Sequence, residues 1–104
     1  MEMDLLKLFI REHARIYAAL SDEKRIEILL RLYDSKMMSF KELKEALHIP
    51  QGTLNYHLKM LETVGLIENV LERRSGTISQ YRLTEKGREL VTTMYTLMEK
   101  GVQK

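Results

Sequence analysis

In the run TLNYHLKMLET, residues 53–63, three leucines recur at Leu54, Leu58 and Leu61. Offsets of four and seven residues place them on one stripe of a helix, the arrangement of a buried face. Gly52, Asn55, Tyr56, Lys59 and Thr63 fall on the other side. Asparagine can form two hydrogen bonds to the edge of an adenine, and lysine can reach a guanine. A tyrosine can touch a phosphate or lay its ring against a thymine methyl. The face holds almost no acid, with Glu62 nearer its edge. A polar helical face is also what an ordinary solvated helix presents, so the elements around it must decide its use.

The preceding segment positions that helix. Ser39 and Glu42 have the spacing of a capping box, in which each side chain receives the other residue's backbone N–H. Met38 and Leu43 suit the accompanying hydrophobic staple, and Phe40, Leu43 and Leu47 share a face. Pro50 breaks any continuous helix and is tolerated in the first turn of a new one. Gly65 then supplies a left-handed stop. Two short helices over about 39–64, the second polar outward, form a helix-turn-helix, whose second helix lies in the major groove of DNA.

The rest of the chain reads in order. A first helix over about 4–20 carries Leu6, Ile10 and Tyr17 on one stripe, with Leu5, Phe9 and Ile16 beside it. This apolar arc is wider than one core contact requires, which points to a partner subunit. Ser21 is expected to cap a second helix running to about Asp34, with Ile26, Leu29, Leu30 and Tyr33 facing inward and Ile28 and Leu32 widening the stripe. Residues 35–38 are expected to be a connector. Leu66 to about Arg73 and Thr77 to Leu83 read as a hairpin around Ser75-Gly76. Tyr81 and Leu83 share one face, and Gln80 and Arg82 the other. A hairpin over about 67–83 directly after a helix-turn-helix is a wing, and Arg73 and Arg74 at its tip suit phosphates or a minor groove. Thr84 is expected to cap a last helix over about 85–100, striped by Leu90, Val91, Met94, Leu97 and Met98 with Tyr95 at its edge. Pairing the first and last helices of two copies would cover both apolar surfaces.

Composition sets limits. A length of 104 residues suits one domain and one core. No apolar run reaches the roughly 18 residues that span a bilayer, and the start of the chain lacks a signal-peptide pattern. The absence of cysteine removes disulfides, thiolate metal sites and thiol catalysis together, and fits a cytoplasmic chain. A net charge of only +2 implies moderate DNA affinity and a need for two copies of the domain. No paired carboxylates, nucleophile–base set or phosphate-cradling glycine loop argues for an enzyme. His13, His48 and His57 lie on separate elements, too scattered for a metal triad. His57 beside the leucine stripe suits either a DNA contact or a hydrogen bond holding its helix to the domain.

Three segments resemble the ArsR-type winged helix-turn-helix repressors. They are ALSDEKRIEILL (19–30), TLNYHLKMLETVGLI (53–67) and YRLTEKG (81–87). The resemblance implies a mainly α fold with a two-stranded hairpin wing and terminal dimerisation helices, all in a single domain over 1–104. It implies a homodimeric transcriptional regulator that binds operator DNA and in many members releases it to an effector, here an unidentified small molecule. It places the DNA-reading positions on Gln51, Thr53, Asn55, Tyr56, His57 and Lys59. The dimer seam is expected at Leu6, Ile10, Tyr17, Leu90, Met94, Leu97 and Met98. Pro50 and Gly52 stand where hydroxyl residues are common, which alters the entry to the recognition helix. The cysteine or last-helix histidine ligands of the metal-sensing members are missing, so no metal and no cofactor are expected. The competing reading is a winged-helix module that binds proteins through the same surface without specific DNA binding, and the low net charge favours it.

Overall fold

The structure is a computed structural model and describes residues 2–72 and 78–102. The elements run α1 (Glu2–Ala19), α2 (Glu23–Ser35), β1 (Met38–Ser39), α3 (Phe40–Leu47), α4 (Gln51–Thr63), β2 (Ile67–Glu72), β3 (Ile78–Leu83) and α5 (Glu85–Val102). It is a mainly helical winged helix.

Local chemistry sets most of these boundaries. Both bonds of the capping box at the head of α3 are made: Ser39 Oγ accepts from Glu42 N at 3.1 Å, and Ser39 N donates to Glu42 Oε1 at 2.8 Å. His48 ends α3 in the left-handed region, φ 54°, and Pro50 opens α4 without a side-chain cap. Gly65 takes φ +78°, a conformation that side chains resist. Its N–H donates to Glu62 O and that of Leu66 to Leu61 O, the bond pair of a Schellman stop.

Thr84 performs two tasks at the head of α5. Its hydroxyl accepts from Gly87 N at 3.0 Å and donates to the Gly65 carbonyl at 2.6 Å. Its backbone N–H donates to Leu66 O. α5 therefore begins locked to the exit of α4. Gly87 permits this close approach, since a Cβ there would stand 2.1 Å from the Leu66 carbonyl oxygen.

Three expectations are corrected. Asp22, not Ser21, caps α2, accepting from Lys24 N and Arg25 N. Ser21 instead donates to Ala18 O at the end of α1. A carboxylate suits the positive helix end better than a hydroxyl does. The inward stripe of α2 is Arg25, Ile28, Leu29 and Leu32, whereas Ile26 and Leu30 are 39 % exposed and flank a cleft facing α5. Residues 38–39 of the expected connector and cap pair with β3, Met38 opposite Tyr81 and Ser39 opposite Gln80. The sheet therefore has three antiparallel strands in the order β1-β3-β2, and β1 covers part of an otherwise open edge of β3.

The core lies between α2, α3, α4 and the sheet. Ile28, Leu32, Leu43, Leu54, Leu58, Leu61 and Leu66 are fully enclosed, and Tyr81 and Leu83 point into it from β3. α5 joins through Val91, and its Arg88 sits over the Tyr33 ring of α2 at 5.3 Å. In α1 only Ile16 and Ala19 are buried.

Candidate nucleic-acid interface

α4 is held by its leucines, and this decides what its other side displays. With Leu54, Leu58 and Leu61 at 0 % exposure, Gln51, Gly52, Thr53, Asn55, Tyr56 and Lys59 are all exposed. Tyr56 stands 59 % exposed. Beside the first turn of α4, Phe40 of α3 joins Gln51, Gly52 and Asn55 around an open cleft of about 420 Å³. Five of the six side chains expected on α4 thus share one accessible face.

His57 does not belong with them: of its two expected roles it takes the hydrogen bond that holds its helix to the domain. Its ring is only 6 % exposed and packs toward α2, because position 57 lies on the core side beside Leu54, Leu58 and Leu61. Arg25 Nη1 donates to His57 Nδ1 at 3.1 Å. A guanidinium has no acceptor, so Nδ1 is unprotonated and the ring carries its proton on Nε2. Nε2 faces Asp22 Oδ1 at 3.8 Å. Desolvation pushes the Asp22 carboxyl up. The N–H groups of Lys24 and Arg25, with the nearby Arg25 charge, outweigh it and bring that carboxyl below its ordinary value.

Sequence reasoning missed Arg25, and it placed Asp22 at the head of α2 without its position beside His57. A signal was present: Arg25 precedes Ile28, Leu29 and Leu32 by three, four and seven residues. A cation at those offsets lies on the buried stripe and must have a partner.

On the wing, Arg82 of β3 pairs with Glu68 directly across on β2 at 2.6 Å. Both side chains are nearly half exposed, so the pair adds little stability. Arg73 and Arg74 lie outside the described residues. Among the described residues no group of three or more His, Asp or Glu side chains is placed to hold a metal ion. His13 Nδ1 lies 2.9 Å from Phe9 O, and His48 is exposed in the turn. The expected seam residues Leu6, Ile10, Tyr17, Leu97 and Met98 are 57–58 % exposed and Met94 is 40 % exposed, while Leu90 is half-buried.

A helix-turn-helix with an outward polar second helix, followed by an antiparallel hairpin, defines a winged-helix DNA-binding domain. Residues 24–102 match the family described as winged helix DNA-binding domain. The arsenical resistance operon repressor of Bacillus subtilis is 32 % identical over 77 residues, covering 74 % of this chain and 70 % of that protein. The chain belongs to the winged-helix regulators of the ArsR type, a family of transcriptional regulators and not of enzymes.

An uncharacterised helix-turn-helix regulator of Mycobacterium bovis is 40 % identical over 62 residues, which are 60 % of this chain and 39 % of the relative. The chain thus spans less than half of that relative's length. Among solved structures, the repressor BigR of Xylella fastidiosa superposes with a TM-score of 0.73 at 32 % identity, covering 93 % of this chain and 92 % of the other. The homodimeric winged helix-turn-helix domain of a possible ArsR-family regulator from Mycobacterium bovis shares the fold, with a TM-score of 0.79 at 24 % identity and coverages of 96 % and 90 %. Among the described residues no helix is long and apolar enough to cross a membrane.

Proposed function

We propose that the chain is a repressor-like, sequence-specific regulator that binds a palindromic operator as a homodimer. The observation that carries this reading is the division of α4, with three leucines at 0 % exposure against an open face of Gln51, Thr53, Asn55, Tyr56 and Lys59. That face enters the major groove, and Arg73 and Arg74 add phosphate contacts. The dimer forms through α1 and α5. Supporting it are the exposed apolar side chains of both helices, the apolar cleft of about 320 Å³ between α2 and α5, and the homodimer formed by the mycobacterial relative in structure. The reading includes release of DNA by a small-molecule effector, to which no residue is assigned.

Selection of bound sequences from a random duplex pool tests this directly. Enrichment of two inverted half-sites about one helical turn apart is the expected result. Sedimentation at micromolar concentration should give a dimer. Replacing Arg73 and Arg74 by alanine should weaken binding to all duplexes alike and lower the salt slope by about one for each phosphate no longer neutralised. A pool without enrichment, together with binding insensitive to salt, would favour the protein-interaction reading that the net charge of +2 also permits.

A further inference from the structure

One side chain joins the helix assigned to the dimer seam to the helix assigned to DNA. Arg25, in the first turn of α2, is 7 % exposed. Its Nε donates to the Ala19 carbonyl at 2.6 Å, and its Nη1 to His57 Nδ1 at 3.1 Å. The Ala19 carbonyl closes α1, where the last carbonyls have no partner within the helix. His57 lies at the middle of α4. The guanidinium is planar, with its donors at fixed angles. It cannot follow one of these partners without carrying the other.

The rest of α1 has little hold on its own domain. Ile16 and Ala19 are its only buried residues, and Phe9, Leu6 and Ile10 project with more than half of their surface open. In the dimeric reading, the direction α1 takes is set largely by the partner it packs against.

We propose that Arg25 is a positioning residue that transmits the setting of α1 in the dimer to the recognition helix, so that the Ala19–Arg25–His57 link fixes the spacing of the two α4 helices. The proposal rests on the dimeric DNA-binding reading and adds to it a determinant of operator geometry. Through this link the half-site spacing becomes a property of the seam as well as of α4. Loss of the link leaves each α4 with its base contacts and its buried leucines, but without the bond that couples its setting to α1.

The probes are the duplex enriched by the wild-type protein and the same duplex with one base pair added between its half-sites. The extra pair moves one half-site by about 3.4 Å along the axis and turns it as well. His57→Phe keeps the ring volume and removes the acceptor. Arg25→Lys replaces two fixed donors by one mobile ammonium. His57→Asn returns a carbonyl oxygen near the place of Nδ1. In His57→Phe and Arg25→Lys the preference for the original spacing should fall by about tenfold, the scale of one hydrogen bond to a charged group. His57→Asn should restore it.

Lower affinity by the same factor on both duplexes would mark the link as structural only and overturn the proposal. So would an asparagine variant that behaves like the phenylalanine one. Should His57→Phe fail to fold, the spacing ratio of Arg25→Lys decides alone. A wild-type protein that enriches no duplex overturns the DNA-binding reading first, before any variant is made.

Discussion

α4 and α1 are both rich in leucine and aromatic residues, yet the chain treats them in opposite ways. α4 buries its leucines completely and shows polar groups. α1 buries only Ile16 and Ala19 and shows Leu5, Leu6, Phe9 and Ile10. The chain covers the apolar side of α4 and leaves that of α1 open. The difference separates two kinds of hydrophobic pattern. One has a matching face elsewhere in the same chain, and the other has none among the described residues.

The strongest way to break this contrast is to charge the open helix. Glutamate at both Leu6 and Ile10 places two carboxylates per protomer in the proposed seam, where each buried charge costs several kcal/mol. Sedimentation should change from dimer to monomer. A double variant that still sediments as a dimer would move the seam away from α1. The enclosed helix should respond through folding. Leu58→Ala should cost roughly 2–5 kcal/mol in thermal or denaturant unfolding, as expected for a fully buried leucine.

The polar side of α4 should respond through binding alone. Asn55→Ala or Lys59→Ala should cost on the order of 1–3 kcal/mol at the preferred duplex, with a smaller loss on random DNA and an unchanged unfolding midpoint. Wild-type affinity in both variants would show that this face does not read bases.

The smallest effect concerns the capping box at the head of α3. The Glu42 carboxyl lies below its ordinary value because the Ser39 backbone N–H, and then the Ser39 hydroxyl, bond to it. A carboxyl lowered on folding gives stability that is complete above its unfolded pKa and is lost as pH falls through its folded pKa. The group is exposed, so solvent screens most of this gain. Glu42→Gln should therefore cost only about 0.3–1 kcal/mol near neutral pH. Its unfolding curve should converge with that of the wild type on acidification.

Where periodicity and punctuation agreed, the sequence alone placed the elements. Leu54, Leu58 and Leu61, the Ser39–Glu42 box and Gly65 lie where spacing and backbone preference require. Other positions depended on neighbours that no local pattern names. Ile26 and Leu30 are as apolar as Ile28, and only the position of α5 decides which of them stands at a cleft mouth. A two-residue strand such as Met38–Ser39 has no alternation to read, since it exists only through pairing with β3. His57 was legible as a residue of α4 and not as a partner of Arg25, because that bond spans 32 residues. Of the expected DNA-reading residues, the α4 side chains other than His57 share one surface, while Arg73 and Arg74 fall outside the described residues.

The bonds that tie Thr84 to Gly65 and Leu66 have a further consequence for how such a domain can vary. They pinch the hairpin at its base, so the chain leaves and re-enters the body through one fixed point. The junction of α4, the hairpin and α5 is then made by Gly65, Leu66 and Thr84 themselves, independently of the outward-facing side chains of β2 and β3. Exchanging an outward pair such as Glu68 and Arg82 leaves that junction in place, so the hairpin's outer surface is free to change while its root is not.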